Sequence, residues 1–293
     1  MRVLVLGGRG QLATDIRRLW TRHEVLPLTH DECDVTDGAA VLREIRASRP
    51  DVVLNCAAYH RVDDCEGAGA TAALAVNVLG ARNVADACRE HDAVCLFMST
   101  DYVFEGRASE PYREDHPPAP LSIYGISKAA GEQAVRYACP RHYVVRSSGL
   151  YGVAGASGKG GNFVETMLRL AREGETIRVV DDQTLAPTST ADLAPALEAL
   201  VETEAFGTYH LTNAGACTWS EFADAIFGLA GVEADLQPTT TEAYGAPARR
   251  PRYSVLANER IKDVDIQQPR PWREALAAYL VDKGHREALP ALR

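Results

Sequence analysis

The sequence has no apolar run long enough to span a bilayer, and its first residues read as a short strand instead of a charged and apolar leader. It has no excess of basic residues. Its 31 Lys and Arg against 40 Asp and Glu give a net charge of −9, which argues against a broad nucleic-acid footprint. Its seven cysteines (Cys33, Cys56, Cys65, Cys88, Cys95, Cys139 and Cys217) include no Cys-x-x-Cys pair. That disfavours a disulfide framework and a cysteine zinc site, and points to reduced, mostly buried thiols in a cytoplasmic protein. Internal repeats and low-complexity tracts are missing as well. What is left is an ordinary globular composition, 46% hydrophobic and 24% charged, over 293 residues, enough for one large domain or one and a half.

The apolar run Arg2–Leu6 reads as a buried strand, followed at once by Gly7-Gly-Arg-Gly10-Gln-Leu-Ala13 and a helix over Gln11–Trp20. Strand, glycine turn and helix form the context in which such a motif binds a dinucleotide. Gly7 permits the turn and Gly10 lets a pyrophosphate approach the helix N-terminus, where Gln11 and Leu12 begin the helix; Ala13 allows close packing. A plain tight turn needs the same residues, so position and context carry this reading. A second strand, Glu24–Thr29, contains Pro27 and so belongs at an edge. No acidic residue closes it to grip a ribose hydroxyl. Arg9 is placed to meet a 2′-phosphate, which leans towards NADP, with NAD as the alternative. Asp34 and Val35 lie where an adenine would be gripped, and Thr36 is a plausible helix N-cap.

Asp51–Ala58 is a third strand whose small residues Ala57 and Ala58 reach the ligand edge, with Tyr59, His60 and Arg61 entering the cleft. A long helix covers Thr71–Glu90, with Asn77 inside it at some cost in propensity. Val94–Met98 and His142–Ser147 are strands four and five, and Pro111–Pro120 reads as a mobile loop beside the site. Five strands alternating with helices indicate an α/β fold, a doubly wound, Rossmann-like parallel sheet. After residue 148 the pattern changes. A glycine-rich loop over 152–161 precedes a helix opening at Asn162-Phe163, then a strand at Thr176–Val180, a helix at Ala191–Val201 and a strand at Gly207–Thr212. A capping box, Thr218-Trp-Ser-Glu221, opens another helix. The expected division is a dinucleotide-binding domain over 1–150, to which 186–215 return, and a small interleaved C-terminal substrate lobe made of 151–185 and 216–293.

At the carboxyl end of strand four stand Ser99, Thr100, Asp101 and Tyr102, and one helix later come Tyr124 and Lys128, four residues apart on one face. Ligands in open α/β sheets bind at this edge. Lowering a tyrosine by ~3 pKa units takes roughly 4 kcal/mol, about what one ammonium at ~4 Å supplies at an effective dielectric of ~20. Lys128 could thus tune Tyr124 as a proton donor to a carbonyl oxygen held by Ser99 or Thr100. Alone, Tyr-x-x-x-Lys is a common chance spacing on an amphipathic helix, and the neighbouring motifs are what give it weight.

Together these stretches resemble the extended short-chain dehydrogenase/reductases, and within them the dTDP-4-dehydrorhamnose reductase family. The resemblance rests on Gly7-Gly-Arg-Gly-Gln-Leu, Asp51-Val-Val-Leu-Asn-Cys-Ala-Ala-Tyr, Val76-Asn-Val-Leu-Gly-Ala-Arg-Asn, Ser99-Thr-Asp-Tyr-Val-Phe-Glu-Gly, Tyr124-Gly-Ile-Ser-Lys, Val180-Asp-Asp-Gln-Thr and Gly207-Thr-Tyr-His-Leu. It implies reduction of the C4 carbonyl of a nucleotide-activated 4-keto sugar. Tyr124 would protonate O4, and Lys128 would hold the nicotinamide ribose and tune Tyr124. Thr100 would hydrogen-bond the carbonyl, and Asp101 and Tyr102 would border the sugar. The cofactor would be met by Gly7, Arg9, Gly10, Gln11, Leu12, Asp34, Val35, Ala57, Ala58, Tyr59 and Ser99. Asn162, Phe163 and Arg250 would meet the nucleotide and pyrophosphate of the substrate. A magnesium ion at a dimer contact, with Asp181 and Asp182 nearest, is less favoured than a solvated acidic loop, and a homodimer is an open expectation. Two departures bear on the sugar: Gly149 stands where the family pattern has tryptophan, and His60 where threonine is usual. The resemblance leaves two other readings, a non-catalytic regulatory subunit like that of methionine adenosyltransferase and an epimerase or dehydratase. Tyr102, where dehydratases carry glutamate, disfavours the dehydratase.

Overall fold

The computed structural model describes residues 1–155 and 161–287. Part of the glycine-rich loop expected over 152–161 therefore lies outside the described residues. A six-stranded, all-parallel sheet forms the frame. β1 (Arg2–Leu6) pairs on one side with β2 (Glu24–Leu28) and on the other with β3 (Val52–Asn55). β4 (Val94–Thr100), β5 (His142–Ser147) and the strand Gly207–His210 follow outward from β3. The order reverses between β1 and β3, and a doubly wound sheet opens its ligand crevice at such a point. β2 is an edge strand, where Pro27 leaves no central ladder bond unmade.

Alternation along each buried strand sends side chains into two cores. Val3, Val5, Leu54 and Leu96 pack with α1 (Gln11–Leu19) and α7 (Thr190–Val201). Leu4, Leu6, Val53, Phe97 and Val144 pack on the other face with α2 (Gly38–Ser48), α4 (Ala81–Glu90) and α5 (Ile123–Ala138). A third core joins α6 (Phe163–Arg172), α8 (Trp219–Ala230), α10 (Trp272–Asp282) and the strand Thr176–Val180, which pairs with Asp235–Thr239. The capping box at Thr218 and Glu221 is present, and it starts α8.

Four local expectations change. The N-cap of α2 is Asp37, which accepts from the Ala39 and Ala40 amides; the Thr36 hydroxyl instead donates to Asp34 at 2.8 Å. The helix from Ala70 to Glu90 is broken by a π-helical turn, Ala75–Gly80, that holds Asn77. The 111–120 loop is pinned, not free. Tyr112 stacks on Phe104 with ring centroids 4.3 Å apart, and buried Glu114 accepts from the Arg260 amide at 3.1 Å. Ile261 and Ile266, from a stretch expected in the lobe, pack into the sheet's core beside Trp20.

Candidate active site

A cleft of about 1310 Å³ runs along the carboxyl edge of the sheet, between it and the small lobe. On the sheet side it is lined by Gly7, Arg9, Gly10, Gln11, Leu12, Asp34, Val35, Ala57, Ala58, Tyr59 and Ser99. Gly7 sits at φ +83°, and a Cβ there would lie 2.9 Å from the Ala57 amide nitrogen, so only glycine makes this turn. The Gly10 amide donates back to the Gly7 carbonyl at 2.9 Å. α1 then begins without a side-chain cap, and Gln11, held to the Leu150 carbonyl by its Nε2 at 3.0 Å, keeps a buried Oε1 with no hydrogen-bond partner among the described residues. An uncapped helix start with an unused polar atom beside a glycine cradle fits a dinucleotide pyrophosphate. Arg9 reaches Asp31 at 2.9 Å in an exposed ion pair. Asp34 is held below its usual range: burial pushes it up, but hydrogen bonds from Thr36 outweigh this.

Thr100, Tyr102, Tyr124 and Lys128 also line the cleft. The Tyr124 ring meets the Tyr102 ring edge-on, with centroids 5.8 Å apart. Lys128 is buried, its Nζ donates to the Met98 carbonyl at 2.6 Å and lies 4.0 Å from the centre of the Phe97 ring. Burial pushes its pKa down to about 7, against the opposing pull of Glu132. Tyr124 is itself pushed up by burial. The i, i+4 spacing put both on one face, but the nearest carbonyl captured the ammonium.

Ser99 does not offer its proton to the cleft either, since its hydroxyl donates to Glu132 at 2.6 Å. Glu132 is fully buried and also receives Arg146 Nε at 2.8 Å and Nη2 at 2.7 Å. Asp101 is turned away from the cleft and accepts hydroxyls from Thr100, Ser148 and Ser254; burial raises its pKa while these hydrogen bonds oppose the rise.

On the lobe side, Phe163 and Trp219 present two rings with centroids 4.6 Å apart. Arg250 lines the cleft too, but its guanidinium is held by both Asp63 oxygens at 2.8 and 3.0 Å. Asn162 is not brought to the cleft wall. It caps α6 through the Glu165 amide, and its Nδ2 donates to the Gly152 carbonyl and the Tyr279 hydroxyl. Asp181 and Asp182 accept from Thr218 and Thr241 and tie the lobe together.

Sequence reasoning passed over three residues. Asn77, fully buried, accepts from the Tyr59 amide at 2.9 Å and donates to the Ser127 hydroxyl at 2.9 Å, fixing the cleft loop to α5. Its signal was a polar residue spoiling a helical stripe. Glu132 continues the Tyr124–Lys128 spacing by one more turn. Trp219 had no signal beyond its place in a capping box.

The chain matches the family described as RmlD substrate binding domain over residues 1–284. It is 44% identical to the dTDP-4-dehydrorhamnose reductase of Streptomyces griseus, covering 99% of this chain and 94% of that one. It is 38% identical to the dTDP-4-keto-6-deoxy-D-glucose reductase of Streptomyces niveus, over 94% and 95%. The crystal structure of dTDP-4-dehydrorhamnose reductase from Bacillus anthracis in complex with NADP superposes with a TM-score of 0.91 at 38% identity, over 96% of this chain and 99% of that one. With the glycine cradle, Tyr124 and Thr100 on one cleft and this kinship in place, the chain belongs to the dTDP-4-dehydrorhamnose reductase family of NAD(P)-dependent dTDP-sugar reductases.

Proposed function

We propose that the protein reduces the C4 carbonyl of dTDP-4-dehydro-L-rhamnose to give dTDP-L-rhamnose, with NADPH as the preferred reductant. The observation that carries this reading is that Thr100 at the end of β4, and Tyr124 and Lys128 one helical turn apart on α5, line one cleft with the glycine turn at Gly7 and Gly10. When bound, the cofactor supplies a hydride to the sugar C4. Tyr124 gives its phenolic proton to the O4 oxygen, which gains a full negative charge unless protonated as the hydride arrives. Lys128 would leave the Met98 carbonyl to hold the nicotinamide ribose, and its charge there would favour the phenolate left behind.

Phe163 and Trp219 are suited to stack on the thymine, and Arg250 to receive the diphosphate by exchanging Asp63 for it. The NADPH preference rests on Arg9, whose paired Asp31 is itself exposed and exchangeable.

A second reading keeps the chemistry and changes the sugar. Gly149 lines the cleft at φ +52°, and a Cβ there would lie 2.8 Å from Leu185 Cδ1. The backbone is thus set for a residue without a side chain, which widens the sugar end of the cleft. The test is NADPH and NADH oxidation, followed by absorbance, with dTDP-4-dehydro-L-rhamnose and dTDP-4-keto-6-deoxy-D-glucose side by side. Faster turnover of the first with NADPH is expected. Preference for the second selects the alternative sugar, and cofactor binding without turnover of either returns the protein to the regulatory-subunit reading.

A further inference from the structure

The amino edge of the sheet, opposite the cleft, carries a second group of polar side chains that the reaction does not use. Two acids stand one turn apart at the end of α7: Glu198, and Glu202 just past its last residue. Like charges at that spacing repel each other, and the negative end of the helix dipole repels both. His23, in the turn just before β2, faces them. Its side chain is 6% exposed, its ring is set edge-on to Trp20 with centroids 5.8 Å apart, and Nδ1 is turned to the Met1 nitrogen at 3.3 Å. The other ring nitrogen, Nε2, lies 3.2 Å from Glu198 Oε1 and 3.4 Å from Glu202 Oε1. Among the described residues neither Nε2 nor Glu198 Oε1 has a hydrogen-bond partner, although both atoms are buried. An N–H directed at either oxygen would make a hydrogen bond at these distances; this nitrogen stands close to both and bonds to neither.

Two ligand atoms of a tetrahedral zinc ion, each about 2.0–2.2 Å from the metal, stand about 3.3–3.6 Å apart. Both separations at Nε2 are close to that edge, and the three atoms all lie within 4.8 Å of one another. We propose that His23, Glu198 and Glu202 bind one divalent cation of the zinc class, with water completing its coordination. The imidazole nitrogen sets the class, because magnesium and calcium take oxygen ligands. The ion would meet each cost at once: it neutralises both acids at the end of the helix and gives Nε2 and Glu198 Oε1 a partner. In this structure Arg22 does part of that work. Its Nη2 lies 3.4 Å from Glu198 Oε1 and 3.1 Å from Glu202 Oε1, on a side chain 66% exposed that is free to turn into solvent when a metal enters. The bound ion would pin the end of α7 to the turn between α1 and β2. None of its three ligands lines the cleft, so its role is structural.

The test uses the untagged chain, stripped of metal with a chelator and titrated with zinc. Calorimetry should show one saturable site, and zinc at about a hundredfold excess over its Kd should raise the melting temperature by roughly 3–6 °C. Cobalt in place of zinc should give the visible absorption of a tetrahedral site without a thiolate charge-transfer band, which separates this site from the seven cysteines. Magnesium in about tenfold excess should not displace zinc. His23→Ala and Glu198→Gln should each weaken zinc binding about tenfold or more. Arg22→Ala keeps all three ligands and removes the competing cation, so it should tighten binding about threefold or more. A saturable site that is lost with His23 and tightened without Arg22 establishes the proposal. No saturable site, thiolate absorption, displacement by magnesium, affinity kept in His23→Ala, or affinity unchanged in Arg22→Ala each overturns it, leaving His23, Arg22 and the two acids as a charge cluster that holds no metal.

Discussion

The two walls of the cleft are made of different material. The sheet wall is backbone and small side chains: a turn at Gly7, the amides that start α1, and Ala57 and Ala58 at the end of β3. The lobe wall is large side chains on separate elements: Phe163 from α6, Trp219 from α8, Arg178 from a strand and Arg250 from the segment after α9 (Thr241–Tyr244). The first is fixed by strand register and fits one invariant kind of ligand, a dinucleotide. The second is fixed by packing among distant segments, and any one ring or guanidinium can change without disturbing the sheet. Between them lie Tyr124, Thr100 and Lys128, carried by the sheet edge and by α5. On the proposed reading the chemistry and the cofactor belong to the frame, and the choice of sugar to the lobe.

The largest expected effect falls on the line between the walls. Tyr124→Phe keeps the ring contact with Tyr102 and removes the proton donor. Turnover should fall by about 10²–10⁴-fold while NADPH binding, followed by fluorescence, is unchanged. Turnover at the parent rate would remove Tyr124 from the reaction.

Lys128 is next, and its effect reads out in stability as well as in activity. Its folded-state pKa, about 7, lies below that of an unfolded lysine, ~10.4. The folded protein therefore binds fewer protons than the unfolded chain between those values, and the cost of burying the ammonium is fully present below pH 7 and disappears as pH rises past ~10. Lys128→Met should be inactive yet more stable than the parent by roughly 1–3 kcal/mol at pH 6, after the lost bond to Met98 is allowed for, with a smaller gap at pH 9. Melting curves at both pH values check this, and a gap that widens with pH would show that the ammonium is not paying a burial cost.

Gly7→Ala attacks the sheet wall itself. Both φ +83° and the 2.9 Å approach to Ala57 forbid a Cβ, so the turn must open at a cost of about 1–3 kcal/mol. Weaker NADPH affinity with an intact lobe, read by titration calorimetry, is the expected outcome. Unchanged affinity would mean that the cofactor does not use this turn.

The difference between the walls also explains what could be read from sequence. The sheet and its glycine cradle were legible because strand, turn and helix lie within about twenty residues, and each position has one steric requirement. Tyr124 and Lys128 were legible as a spacing, but the direction of the Lys128 ammonium was not, because it depends on the Met98 carbonyl thirty residues away. Asn162 was misplaced for the same reason: a residue at a helix start spends its side chain on the cap and, here, on Tyr279 from the other end of the lobe. Asp101 was noticed for its neighbours, yet its burial among Ser148 and Ser254 is purely a tertiary fact. Trp219 was hidden because a capping box accounts for its position without invoking a ligand.

Trp219→Ala is the matching attack on the lobe wall. It removes half of the two-ring platform and leaves the sheet untouched. Loss of a stacking face costs about 1–3 kcal/mol, so KM for the nucleotide sugar should rise by tenfold or more with Kd for NADPH unchanged. If cofactor affinity fell instead, the two walls would not be independent, and the division drawn between them would have to be given up.

The smallest effect tests a charged side chain on the sheet wall. Arg9 and Asp31 are about 70% exposed, so their ion pair is screened and contributes little to stability, no more than about 1 kcal/mol. For the same reason Arg9 is free to leave Asp31 for a 2′-phosphate, which carries more charge and offers bidentate geometry. Arg9→Ala should leave the melting temperature and NADH kinetics nearly as they are, and lower the preference for NADPH over NADH by roughly three- to tenfold at low ionic strength. The loss should shrink as salt is added, because a surface guanidinium acts through a field that salt screens. An unchanged ratio at low salt would mean that the backbone-built wall selects the cofactor without any charged side chain, and the contrast between the two walls would then be complete.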